Sequence, residues 1–140
     1  MIKQFYEKAL PSQGVYCVAK LDKRITQKFA ESIDDVETIA RQFELEEANV
    51  YVALASFDGY SRKAEDAQFL RSFFIDLDVG AGKAALGRGY ESKGDAHVSL
   101  QAFIPRVGLP PPIIIDSGTG IHAYWLFDRD IPVTEWKPYA

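Results

Sequence analysis

Residues 73–80 read Phe-Phe-Ile-Asp-Leu-Asp-Val-Gly. An apolar run with two carboxylates inside it sets a physical problem, because an unpaired buried charge is costly. Strand alternation resolves it. Residues i and i+2 of a strand point to the same face, with Cα atoms roughly 6.6 Å apart at ~3.3 Å per residue. Asp76 and Asp78 then share a face with Phe74, and Phe73, Ile75, Leu77 and Val79 form an apolar face opposite. The reading is a strand from Phe69 to Val79, buried on one side, whose acids emerge where the exit loop begins. Two ionised aspartates so close repel each other unless a cation lies between them. Mg²⁺ or Mn²⁺ suits such oxygen ligands. The plainer alternative is a strand end whose acids face water or pair with Arg71 or Lys83.

Working outward, residues 1–13 look like a lead-in ending at Pro11-Ser12. Val15–Leu21 reads as a strand and Ile25–Phe29 as a weaker one. Ser32 followed by Asp34 and Asp35 marks a helix start. Val36, Ile39, Ala40 and Phe43 lie on one face of that helix, which is expected to end near Glu44. Asn49–Phe57 reads as a strand before the Asp58-Gly59-Tyr60-Ser61 turn. Beyond the acidic pair, residues 80–91 contain four glycines and read as a mobile loop. Ser92 caps a second helix with an apolar face of Ala96, Leu100, Phe103, Ile104 and Val107, and Gly108 stops it. The three prolines 110–112 make a stiff connector. Ile113–Ile115 and Ile121–Phe127 then flank a tight turn. A further helix begins near Val133, and the chain stops at Ala140, so the sequence reads as a piece of something longer.

That tight turn is the second informative stretch: Ile-Ile-Ile-Asp-Ser-Gly-Thr-Gly-Ile-His-Ala-Tyr-Trp, residues 113–125. Gly118 and Gly120 permit a tight turn with exposed N–H groups, as an anion-binding nest requires. Ser117 adds a hydroxyl, and His122 adds an imidazole on the following strand. Together they suit a triphosphate. An ordinary hairpin with an exposed histidine is the alternative. His122, Tyr124 and Leu126 share one strand face, and Ala123, Trp125 and Phe127 the other. Tyr124-Trp125 reads as core rather than a base-stacking platform. Gly80-x-Gly82 is a poor dinucleotide fingerprint, because the preceding aspartates would repel a pyrophosphate. Gly82-Lys83 lacks the Ser or Thr of a P-loop. Lys93 and Arg62 lie near these elements in sequence but read as solvated, and His97 reads as surface.

A chain of 140 residues is about one domain. Its net charge of −4 disfavours a protein that grips nucleic acid over its whole surface, though a local basic strip remains open. The single cysteine, Cys17, rules out an intrachain disulfide and a cysteine metal cluster, and reads as a small core residue. The N-terminus has no long apolar segment of a signal peptide, and no run approaches a membrane span. A reducing, cytoplasmic setting is the expectation.

With both constellations in order, the sequence resembles the archaeo-eukaryotic primase superfamily, and more closely the primase-polymerase domains of phages, plasmids and mobile elements. The matching stretches are Tyr51–Phe57, Arg71–Gly80, Tyr90–Ala96, Gly108-Leu109-Pro110 and Ser117–Trp125. The resemblance spans residues 14–140 as one domain, incomplete at its C-terminus. It implies an α+β fold: a catalytic core like an RNA-recognition motif, its mixed or antiparallel sheet packed by helices, beside a small N-terminal α/β unit. It implies template-directed nucleotidyl transfer by a two-metal mechanism in the cytoplasm of a bacterial or phage-infected cell. Asp76 and Asp78 would be catalytic ligands of Mg²⁺ or Mn²⁺. Ser117, Gly118, Thr119, Gly120 and His122 would hold the incoming NTP or dNTP, with His122 also catalytic. The implied partners are a DNA template and primer, and a C-terminal helicase or other replication domain. The family's third acidic motif has no counterpart here, since Asp128, Asp130 and Glu135 fall in a turn and a helix start; it is expected beyond Ala140.

Other functions stay open on the residues alone. A haloacid-dehalogenase-like phosphatase would use Asp76 as nucleophile, but Val79-Gly80 stands where that family has Gly-Thr. A sugar-nucleotide transferase uses Asp-x-Asp on a longer chain. A replication-initiator or nucleotide- or DNA-binding module would keep the fold without turnover.

Overall fold

The computed structural model describes residues 3–140, and its α+β fold contains two antiparallel sheets. In chain order the elements are α1 (Lys3–Ala9), β1 (Tyr16–Leu21), β2 (Ile25–Ala30), α2 (Ile33–Leu45), β3 (Asn49–Val52), β4 (Ser56–Phe57) and β5 (Ala67–Asp78). They continue with α3 (Ala81–Ala85), α4 (Lys93–Val107), β6 (Ile113–Asp116), β7 (Gly120–Pro132) and α5 (Val133–Trp136). Short 3₁₀ turns cover Ala64–Asp66 and Lys137–Tyr139. Among the described residues, no helix is long and apolar enough to cross a membrane.

The chain divides into two compact units. The first comprises residues 1–72 and 127–140. Its three-stranded sheet has the order β2-β1-β3. Tyr16, Val18 and Ala30 on the sheet pack with Val36, Ala40 and Phe43 of α2. Ser32 caps α2 by accepting the Asp35 N–H at 3.1 Å. The stretch read as a lead-in carries α1 and gives Leu10, fully buried, to this core. The strand expected over residues 49–57 is two strands in different sheets. β3 pairs with β1, and β4 pairs with β5. No glycine or proline marks residues 53–55, where the chain changes sheet.

The second unit, residues 73–126, carries both motifs. Here β7 lies between β5 and β6, and α4 comes between β5 and β6 in sequence, giving a split βαβ arrangement. One sheet face carries Phe73, Ile75, Leu77, Ile121, Ala123 and Trp125, and packs against Ala96, Leu100 and Ile104 of α4. Ser92 caps α4 through the Asp95 N–H at 3.1 Å, and Gly108 ends it in a left-handed conformation with φ of 70°. Phe103 and Val107, expected on the apolar face, are exposed. The i, i+4, i+8 row through Ala96, Leu100 and Ile104 meets the sheet, and Phe103 and Val107 fall outside that row.

Residues 80–91 are more ordered than their glycines imply. Gly80, at φ 148°, turns the chain off β5, and the good helix formers Ala81, Lys83, Ala84 and Ala85 then build α3. The segment closes back on the strand end: the Tyr90 N–H donates to the Asp78 carbonyl at 2.9 Å, and the Gly80 N–H to the Tyr90 carbonyl at 2.8 Å.

Candidate functional site

The strand face opposite α4 carries the polar groups. On β5, Phe74 and Asp76 are exposed, with Ile75 and Leu77 turned to the core between and beyond them. On β7, His122 and Tyr124 alternate with the buried Ile121, Ala123 and Trp125. The alternation seen in the sequence therefore holds on both strands, and it brings the two motifs together. His122 Nε2 lies 3.4 Å from Asp76 Oδ1, an ion pair whenever the imidazole is protonated. His122 Nδ1 is 3.0 Å from the Tyr124 hydroxyl, which fixes the ring's orientation. Burial, and then the nearby Asp76 charge, push the Tyr124 phenol above its ordinary pKa, so it stays protonated.

The backbones interlock at the same place. The Val79 N–H donates to the Thr119 carbonyl at 3.0 Å. Gly120 sits so close to β5 that a Cβ there would lie 2.2 Å from the Leu77 carbonyl oxygen. Gly89 is similarly confined, with a Cβ position 2.7 Å from the Asp78 carbonyl oxygen. Asp78 is thus enclosed by two glycine contacts on its backbone, and its side chain points out to Lys83, whose Nζ lies 2.5 Å from Oδ1.

No protein-family model, curated protein or solved structure matches this chain.

The Ser117–Gly120 turn is built differently from an open nest. The Ser117 N–H donates to the Gly120 carbonyl at 3.1 Å, and the Gly118 N–H donates to Asp116 Oδ1 at 2.7 Å. Those two donors are engaged inside the turn. Ser117 and Thr119 are exposed. Asp116 is in turn gripped by Lys93, whose Nζ is 2.8 Å from both carboxylate oxygens. The Lys93 hydrogen bond, and then the Gly118 N–H, hold the Asp116 carboxyl below the usual aspartate range. Sequence reasoning does not reach Asp116: a lone acid at a strand end gives no signal until α4 brings Lys93 beside it. His97 is exposed on α4 and Trp125 is core, as read, whereas Tyr124, read as core with it, is half-buried on the other strand face beside His122.

Carboxylate oxygens are the donor type that a hard divalent ion takes. Asp76 and Asp78 could offer carboxylate oxygens, with side chains 63% and 41% exposed; Asp76 faces His122 and Asp78 faces Lys83. Mg²⁺ ordinarily takes one or two carboxylates and completes its shell with waters and phosphate oxygens. Among the described residues, no three His, Cys, Asp or Glu side chains group as a metal cluster.

Proposed function

We propose that this chain is a primase-polymerase-type nucleotidyltransferase domain. The observation that carries the reading is the meeting of the two motifs: Asp76 beside His122, with the Ser117–Gly120 turn pressed against the backbone of Leu77 and Asp78. An acid pair and a polar turn at one sheet end suit a substrate that brings metal and triphosphate together.

In this reading Asp76 and Asp78 hold Mg²⁺ or Mn²⁺. The bound ions supply charge stabilisation at the attacking and leaving oxygens of an in-line displacement. His122, steadied by Tyr124, presents Nε2 towards the phosphates next to Asp76. The Ser117 and Thr119 hydroxyls donate to phosphate oxygens from the turn, whose shape Asp116 and Lys93 maintain. Gly120 lets the turn approach the acids closely. Positioning and electrostatics then account for most of the catalysis, as in phosphoryl transfer generally. The partners are a DNA template and primer with an NTP or dNTP, alongside a helicase or other replication domain, in the cytoplasm.

The test is incorporation of labelled nucleotide into a primed template with Mg²⁺ or Mn²⁺. The reading expects template-dependent incorporation that vanishes in Asp76→Ala. Undiminished incorporation in that variant, or phosphate release without a template, contradicts it.

A further inference from the structure

Lys83 is held in place by the fold of its own loop. Its own carbonyl accepts the Arg88 N–H at 2.9 Å, closing α3. The Tyr90 N–H pins the far end of the loop to the Asp78 carbonyl, and Gly89 fits between that carbonyl and the Lys83 Cβ. The resulting closed loop delivers the ammonium to Asp78 Oδ1 at 2.5 Å. We propose that Lys83 is the resident counter-cation of Asp78, displaced by a divalent metal and then received by the triphosphate, so that metal and nucleotide bind cooperatively. This rests on the nucleotidyl-transfer reading above.

Two carboxylates on one strand face need positive charge nearby, and Lys83 supplies it to Asp78 while His122 faces Asp76. The Lys83 and Asp78 side chains are 48% and 41% exposed, so the pair is weakly held and readily exchanged. A dication on the Asp78 carboxylate repels an ammonium a few ångströms away. The lysine's flexible stem lets the freed ammonium move to the nearest anion. With metal alone, that anion is absent and displacement is opposed. With the triphosphate present, the released ammonium gains phosphate oxygens. The coupling is therefore positive, and by linkage the metal favours nucleotide as much as nucleotide favours metal.

Mn²⁺ binding is measured by electron paramagnetic resonance on the whole chain, with and without a non-hydrolysable dATP analogue. The set is wild type, Lys83→Gln, Lys83→Arg and Asp78→Asn, with circular dichroism confirming that each is folded. Lys83→Gln is expected to bind Mn²⁺ alone about two- to fivefold more tightly. It is also expected to lose roughly fivefold or more of the nucleotide-induced gain. Lys83→Arg keeps that gain. If Lys83→Gln matches wild type in both titrations while Asp78→Asn loses Mn²⁺, the role of Lys83 is wrong and the site stands. Absence of Mn²⁺ binding in wild type removes the site reading, and this inference with it.

Discussion

Asp116 shows how a single side chain supports the site without belonging to either motif. Its carboxylate joins Lys93 at the start of α4 to the Gly118 N–H in the turn. Both partners favour the ionised form, so its folded-state pKa is lowered. The sign follows: a lowered folded-state value adds stability at pH above the unfolded value of about 3.9. That contribution disappears as pH falls through the lowered folded-state value. Urea unfolding followed from about pH 6 down to about pH 2.5 should show a smaller acid-side loss of stability in Asp116→Asn than in wild type. Identical pH profiles would mean that the Lys93–Asp116 pair contributes nothing to holding the turn. Residue identities such as Asp76, Asp78 and His122 were legible in the sequence because strand alternation alone decides their face. The Lys83–Asp78 pair and the shared face of His122 and Tyr124 were legible for the same reason, being local in sequence; Asp116 was not, since its partner Lys93 comes from another element.

At the scale of elements, the contact between β5 and β7 positions everything else. Gly120 opens β7 and is buried against the β5 backbone, where a methyl group would meet the Leu77 carbonyl oxygen, and the Asp78 Cα at 3.2 Å. A backbone atom cannot swing aside as a side-chain tip can. Gly120→Ala is therefore expected to destabilise the fold by about 1–3 kcal/mol, as overpacking does, and to separate the turn from the acids. Thermal or urea denaturation reads the first effect, and nucleotide binding the second. A variant as stable as wild type would show that the strands part without cost. Helices α2 and α4 were foreseeable from their serine caps and apolar rows, because those signals are local. The helix α3 was hidden by the flanking glycines, and its order comes from backbone bonds to Asp78 and Tyr90 that close only in the folded chain. The division of residues 49–57 between two sheets was equally hidden, because a Val- and Ala-rich segment gives the same pattern in either sheet.

For the molecule as a whole, the α+β class was legible, and a separate N-terminal α/β unit was expected from the resemblance; the return of residues 127–140 to that unit was not. Phe73–Leu126 is compact by itself, and it contains Asp76, Asp78, Ser117 and His122 together. The other unit takes residues from both ends of the chain. No reading along the sequence anticipates that Phe127–Ala140 clusters with residues 1–72, because the indole N–H of Trp136 finds the Ser72 carbonyl, at 2.8 Å, only once the chain is folded. In the second unit, on the proposed reading, two motifs distant in sequence make one site for metal and triphosphate. Calorimetric titration of dATP in the presence of Mn²⁺ tests it most directly, using wild type, Asp76→Ala and His122→Ala. Mn²⁺-dependent binding is expected in wild type, abolished by Asp76→Ala and weakened roughly tenfold or more by His122→Ala. Binding that persists in both folded variants, or that ignores Mn²⁺, would contradict it.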